Sequence, residues 1–196
     1  CQEACPADCS PADFIMAAKG GTPADLARAA ALIMTKNPLG GVCGAVCPDT
    51  HCQAACSRKL FDHSIEIPYV QAAIVARAKA LGVMPKLEIT PANGKKIAIV
   101  GSGAAGLAAA LVLAQMGYEV DLLDRQAKPG GAVRYIPEHR MDPGVLDSDI
   151  AWLLEHPRVH LHASRPMDDA GALLAQGYAA VLLAGGLHEP ITLGIE

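Results

Sequence analysis

The chain has 196 residues, 52% of them apolar and only 4% aromatic, with a net charge of −4 and a pI near 6. That length allows one or two domains with real cores, and the mixed signs leave no basic stripe of the kind nucleic acid requires. No apolar run reaches the roughly 18 residues of a membrane span, and no secretory signal is visible. A reducing, cytoplasmic setting is therefore the default, and neither nucleic acid nor membrane is expected as a partner.

The chain opens on Cys1-x3-Cys5-Pro6, and because it starts on Cys and not Met, an upstream part is expected. Helical sequence runs from 11 to 85. Thr22 is an N-cap with Pro23 at the first helical position and Asp25 in the first turn. Leu26, Ala29, Ala30 and Ile33 then recur at helical spacing, and Asn37-Pro38 stops the helix. Next comes "NPLGGVCGAVCPDTHCQAACSR" (37–58), with four cysteines in fourteen positions and a second Cys-x3-Cys-Pro at Cys43 and Cys47. A further helix starts at Pro68 and ends near Gly82, with Val70, Ile74 and Leu81 on its apolar side. Gln71 lies in its first turn and reads from the pattern as a solvated or capping residue.

All seven cysteines fall within the first 56 residues. A disulfide framework suits small secreted chains that are rich in Cys throughout. Zinc needs four ligands at tetrahedral geometry, and His51 sits beside Cys52, but the x3 spacings depart from the usual x2 knuckles. Iron–sulphur ligation is favoured, because a Cys-Pro pair ends the ferredoxin ligand run, where that Cys serves a different cluster from its neighbours.

Two prolines and an Asn93-Gly94 turn punctuate the stretch before Lys95. "KKIAIV" is then a buried strand, followed by Gly101-Ser102-Gly103-Ala104-Ala105-Gly106 and an Ala/Leu-rich helix to about Met116. Strand "YEVDLLD", a helix near 143–155, strand "RVHLH", a helix near 168–176 and strand "YAAVLLAGG" complete an alternation that predicts a parallel sheet with helices on its faces. The expected division is a helical iron–sulphur domain over 1–85, a linker over 86–96 and the first segment of a Rossmann-like domain over 97–196.

Gly101-x-Gly103-x-x-Gly106 is a strong signal in this strand–turn–helix context. Gly101 permits the tight turn, Gly103 lets the backbone approach a pyrophosphate, and Gly106 lets helix and strand pack closely. The helix N-terminus offers unpaired N–H groups to phosphate. Asp124, closing the second strand, stands where a ribose-binding carboxylate belongs. A 2′-phosphate about 4 Å from it would cost on the order of 4 kcal/mol at a surface-like dielectric, so FAD or NAD is favoured over NADP at this site. Gly130-Gly131 offers another close backbone approach, which suits the longer reach of FAD. His160 and His162 read as structural or exposed residues, and Arg140 as a loop cation that could meet the cofactor.

Taken together, "CQEACPADCSPADFI", "NPLGGVCGAVCPDTHCQAACSR", "IEIPYVQAAI", "GKKIAIVGSGAAGLAAA", "GGAVRYIPEHR" and "GYAAVLLAGGLHEP" resemble one family. It comprises the NADPH-linked glutamate synthase small chain and the N-terminal half of dihydropyrimidine dehydrogenase. The resemblance implies a helical domain with two [4Fe–4S] clusters beside an FAD domain, into which an NADPH domain is inserted. By position it implies Cys5, Cys47, Cys52 and Gln71 as ligands of one cluster. Cys1 and Cys56 would serve the other, completed by two upstream cysteines that this sequence lacks. Cys43 matches a non-ligand cysteine, and Cys9 has no counterpart. For FAD the matching positions are Gly101 to Gly106, Asp124, Arg125, Gly130, Gly131, Ala132 and Arg140. The expected activity is electron transfer between NAD(P)H, FAD and clusters toward a partner catalytic subunit or downstream domain, with the nicotinamide entering through a domain outside this chain. The alternatives are a zinc-stabilised, nucleotide-binding assembly module without redox chemistry, and a fragment of an NAD-dependent dehydrogenase.

Overall fold

The computed structural model describes residues 1–167 and 169–187. Asp168, at the start of the helix expected near 168–176, and the closing residues of the "GYAAVLLAGGLHEP" run lie outside them. The chain divides into two compact units, one formed by 1–89 with 136–155 and the other by 90–135 with 156–196.

The first unit is helical. Its elements are α1 (Pro11–Ala18), α2 (Pro23–Met34), α3 (Gly40–Val46), a 3-10 turn (Ser57–Leu60) and α4 (Ile67–Ala80). Ser10 caps α1 through its side chain, with Pro11 at the first position. At α2 Thr22 and Asp25 form a reciprocal capping box, in which Thr22 Oγ1 accepts from Asp25 N at 3.2 Å and Asp25 Oδ2 accepts from Thr22 N at 3.1 Å. Phe14, Leu26, Ile33, Met34, Ile67, Ile74, Val75 and Ala78 make the core. The buried stripe of α4 is Ile67, Gln71, Ile74, Val75 and Ala78, so Gln71 sits inside the apolar face, whereas Leu81 is exposed.

Three glycines in seven residues make α3 a poor helix by propensity. It forms because those glycines let it press against its neighbours. A Cβ on Gly44 would lie 2.5 Å from Ala72 N on α4. The last helix of this unit, the sixth α-helix in chain order, is α6 (Pro143–Leu154), capped by Asp142. Its indole Nε1–H, from Trp152, donates to the Pro85 carbonyl at 2.7 Å. The linear division expected above assigns this stretch to the second domain. The fold returns it to the first because Leu146, Ile150, Trp152 and Leu153 are apolar and Asp149 has its partners there.

The second unit holds β1 (Lys96–Val100), α5 (Ala104–Gln115), β2 (Glu119–Leu123), a 3-10 turn (Gly131–Tyr135), β3 (Val159–His162), α7 (Ala170–Ala175) and β4 (Ala180–Leu183). The four strands are all parallel in the order β3-β2-β1-β4. Alternation sends Ile97 and Ile99 toward α5, and Ala98 toward Leu123, Leu173 and Tyr178 on the other face. Because β1 is flanked by β2 on one side and β4 on the other, the crossovers reverse direction there. That is the switch point at which such sheets bind ligands, outside the carboxyl ends of the strands.

Candidate functional site

In the first unit Asn37, Pro38 and the glycines of α3 bring the second cysteine run back onto the first. Asn37 Oδ1 accepts from Leu39 N at 3.0 Å and Asn37 Nδ2 donates to Cys43 Sγ at 3.1 Å, fixing the entry to α3. Cys43 stands on α3 and Cys47 closes it. Cys9, Cys43, Cys47 and Cys52 all lie within electrostatic reach of Cys5. Burial pushes up the pKa of Cys43, Cys47 and Cys52, and that of Cys9 to about 12, with neighbouring thiols adding to the rise. Cys56 moves the other way, because backbone N–H groups, first that of Ile65, favour its thiolate. The positive N-terminus lies within electrostatic reach of both Cys52 and Cys56, and Cys1 itself is exposed.

Gln71 is 8% exposed and donates its Nε2 to the Gly40 carbonyl of α3 at 2.8 Å. That bond leaves the amide oxygen as the atom available to a metal. The structure therefore gathers Cys5, Cys47 and Cys52 with the non-assigned Cys9 and Cys43, and ties Gln71 to the helix that carries two of them. Among the described residues no three His, Cys, Asp or Glu side chains are gathered tightly enough to hold a single metal ion. A cubane spreads its ligands over four irons and does not ask them to converge on one point. The soft thiolates with one amide oxygen suit such iron–sulphur chemistry.

In the second unit the loop after β1 is built for close approach. Gly101 has φ +107, and a Cβ there would meet the Ala184 carbonyl oxygen at 2.3 Å, at the lip of the switch point. A Cβ on Gly106 would lie 1.9 Å from the Gly101 carbonyl oxygen, so only Gly lets α5 start this close to β1. In front of Gly103 the nearest outside atom to such a Cβ is Gly131 Cα at 3.9 Å. Among the described residues no side chain caps α5, whose first-turn N–H groups beside Ala104 and Ala105 stay free for an anion. These features fit a dinucleotide's phosphates.

Two contacts pin the double-glycine loop to this one. Gly130 N donates to the Ser102 carbonyl at 2.8 Å, and Gly131, at φ +53, turns its Cα toward Gly103. Asp124 braces the same corner. Its Oδ2 accepts from Ser102 N at 2.7 Å and from the Ser102 hydroxyl, and its Oδ1 accepts from Gln126 N at 2.8 Å. Burial opposes the Asp124 carboxylate, but the Ser102 and Gln126 bonds outweigh it and lower its pKa. Asp124 thus holds the loop's shape, a role that sequence spacing alone did not reveal. Arg125 and Ala132 are exposed on either side of the double-glycine loop. Arg140 is exposed too and belongs to the stretch that packs in the first unit.

His160 and His162 lie on one face of β3, with Nε2 3.3 Å from Glu119 and 3.1 Å from Asp121 respectively. No helix among the described residues is long and apolar enough to cross a membrane.

Residues 1–83 match the family described as dihydropyrimidine dehydrogenase domain II, 4Fe-4S cluster, and residues 99–175 match the NAD(P)-binding Rossmann-like domain. Among curated proteins, an NAD-dependent dihydropyrimidine dehydrogenase subunit PreT homolog of Salmonella typhi is 35% identical over 95% of this chain and 45% of its own length. The NADPH-Fe(3+) oxidoreductase subunit beta of Geobacter sulfurreducens is 32% identical over 84% of this chain and 25% of its own. The Schizosaccharomyces pombe glutamate synthase [NADH] is 31% identical over 78% of this chain and 7% of its own. The chain thus spans less than half the length of these relatives. It joins a segment that matches a 4Fe-4S cluster domain to a parallel-sheet, Rossmann-like segment, and it is similar to these dehydrogenase, oxidoreductase and synthase proteins.

Proposed function

We propose that the chain is an electron-transfer module that binds FAD at the Gly101–Gly106 and Gly130–Gly131 loops and [4Fe–4S] clusters at its cysteines. Electrons would pass from NAD(P)H toward a catalytic partner subunit or domain, in a reducing cytoplasmic setting. The observation that carries this reading is the joining, in one polypeptide, of a gathered thiol group to an uncapped, glycine-lined phosphate loop. Bound FAD supplies the conversion between hydride pairs and single electrons, and a [4Fe–4S] cluster supplies one-electron carriage.

The residues of the chain set the terms for both groups. Cys5, Cys47 and Cys52 with Gln71 would hold one cluster, and Cys1 and Cys56 contribute to a second that needs further ligands. Replacing one thiolate by the neutral Gln71 amide makes that site less negative, which raises the cluster's potential over an all-Cys site. Gly103 and the α5 N-terminus would receive the cofactor's phosphates. The Gly130–Gly131 loop, held against them, lengthens the cradle toward a flavin. Asp124 keeps Ser102 and the loop in register, and ribose hydroxyls would approach from its side. No nucleophile or general acid is assembled among the described residues of the loop, so the terminal reduction belongs to the partner.

Iron, acid-labile sulphide and flavin content of the anaerobically purified full chain test the proposal. Iron and sulphide in near-equal amounts with about one flavin per chain are expected. A colourless protein holding zinc would replace it with the assembly-module reading, and bound NAD without flavin with the dehydrogenase reading.

A further inference from the structure

Three helices of the first unit meet at one carboxylate. Asp149 on α6 is wholly buried, and its Oδ2 accepts from Val42 N at 3.0 Å, near the start of α3. The Gly41 amide also favours its charged form. A Cβ on Gly41 would stand 2.8 Å from Asp149 Oδ1, so the carboxylate reaches the backbone only because that position is Gly. Lys79 of α4 pairs with the same group, and its Nζ also donates to Ser148 Oγ at 2.6 Å.

The helix so held is the one least able to hold itself. It has seven residues, three of them Gly, and among the described residues no side chain of its own caps it. Glycine costs about 1 kcal/mol against Ala in a helix interior, and two turns are below the length that persists alone. Yet α3 carries Cys43 and ends on Cys47. The charge of Asp149 also reaches the thiols, since it adds to the rise in the Cys43 pKa that burial begins. The placement is costly, because burial pushes the Asp149 pKa up in spite of Lys79 and the two amides.

We propose that Asp149 is a positioning residue that both fixes α3 and sets, together with Lys79, the electrostatic field on the cluster bound through Cys47. This rests on the iron–sulphur reading above. Removing Asp149's charge adds one positive unit to the site, and removing Lys79's subtracts one. Cluster potentials follow local net charge. A strut without electrostatic influence would loosen the helix in either variant and would not reverse sign between them.

The test is an anaerobic redox titration of the full chain, followed by the spectrum of the reduced cluster. In Asp149→Asn the midpoint should rise, with the oxidised-to-reduced ratio changed about tenfold at the wild-type midpoint, or 59 mV for one electron. In Lys79→Gln it should fall by a similar factor, and the double variant should return to within about threefold of wild type by charge balance. Unchanged midpoints in both single variants, or shifts of the same sign, overturn the proposal. Should Asp149→Asn fail to retain a cluster, Lys79→Gln alone decides. A fall in its midpoint supports the proposal, and an unchanged or higher midpoint overturns it. A wild-type chain without iron and sulphide sinks the cluster reading itself, before any variant is compared.

Discussion

Gly44→Ala offers a sharp test of how α3 is seated. Helix propensity alone would favour the change by about 1 kcal/mol. Against that, the new methyl would sit 2.5 Å from Ala72 N, 2.7 Å from its Cα and 2.9 Å from its Cβ. Two of these are backbone atoms inside α4 and cannot rotate aside. Ordinary carbon contacts are 3.5–4.0 Å, so α3 must retreat by about an ångström. Overpacking of this kind costs about 1–3 kcal/mol. The net is a loss of about 1 kcal/mol, or about 4–8 °C in the melting of a unit this size. The larger effect falls on the site, because the retreat carries Cys43 and Cys47 away from Gln71. Melting followed by circular dichroism, with iron and sulphide counted per chain, should show a modest stability loss and a pronounced cluster loss. Gly82→Ala is the control. Gly82 has φ +65 with nothing within 4 Å, so the same methyl there strains the backbone by about 1–2 kcal/mol and leaves α3 seated. If Gly44→Ala were more stable than wild type with its iron complete, the packing argument would be wrong.

Other substitutions probe the remaining links. Gly106→Ala puts a methyl 1.9 Å from the Gly101 carbonyl oxygen. It should reduce flavin retained per chain at least tenfold, read by absorbance after gel filtration, by forcing the phosphate loop open. Gln71→Cys should lower the potential of its cluster, and an unchanged or higher midpoint in a redox titration would contradict the ligand assignment. Acid stability should report on Asp121. Burial opposes its charge, but bonds from Lys96, Tyr178 and His162 outweigh burial and hold its pKa down to about 2. Its folded value lies below the ordinary 3.8, so the stabilisation is complete above about pH 4 and is lost as pH falls toward 2. Urea melts of wild type and Asp121→Asn should therefore differ in pH slope over that window, by about 2 kcal/mol in total.

The second unit was largely legible in the sequence because its signals are local. The alternation of strands and helices, the glycine spacing and the closing acid of β2 each say the same thing within thirty residues. The affiliation of α6 was not legible. Its apolar residues would serve equally well on a sheet face or a helical bundle, and only the long-range partners of Asp149 and Trp152 decide. Gln71 was legible as a position and not as an environment, since a polar residue within a buried stripe looks like a surface residue when viewed alone. The need for Gly44 was not legible, because only the fold brings the backbone of α4 into the space its side chain would take. Asp124 was found by spacing, but its grip on Ser102 depends on the loop's three-dimensional shape.

The excursion of the chain into the first unit after Tyr135 and back at His156 has a consequence for biosynthesis. Val42 leaves the ribosome 107 positions before the aspartate that will hold it. At about 5–20 residues per second the delay is about 5–20 s. Throughout that interval α3 lacks the carboxylate that holds its backbone, and it gains that hold only once α6 has been made. A gene truncated at residue 89 would produce a receptacle with no latch.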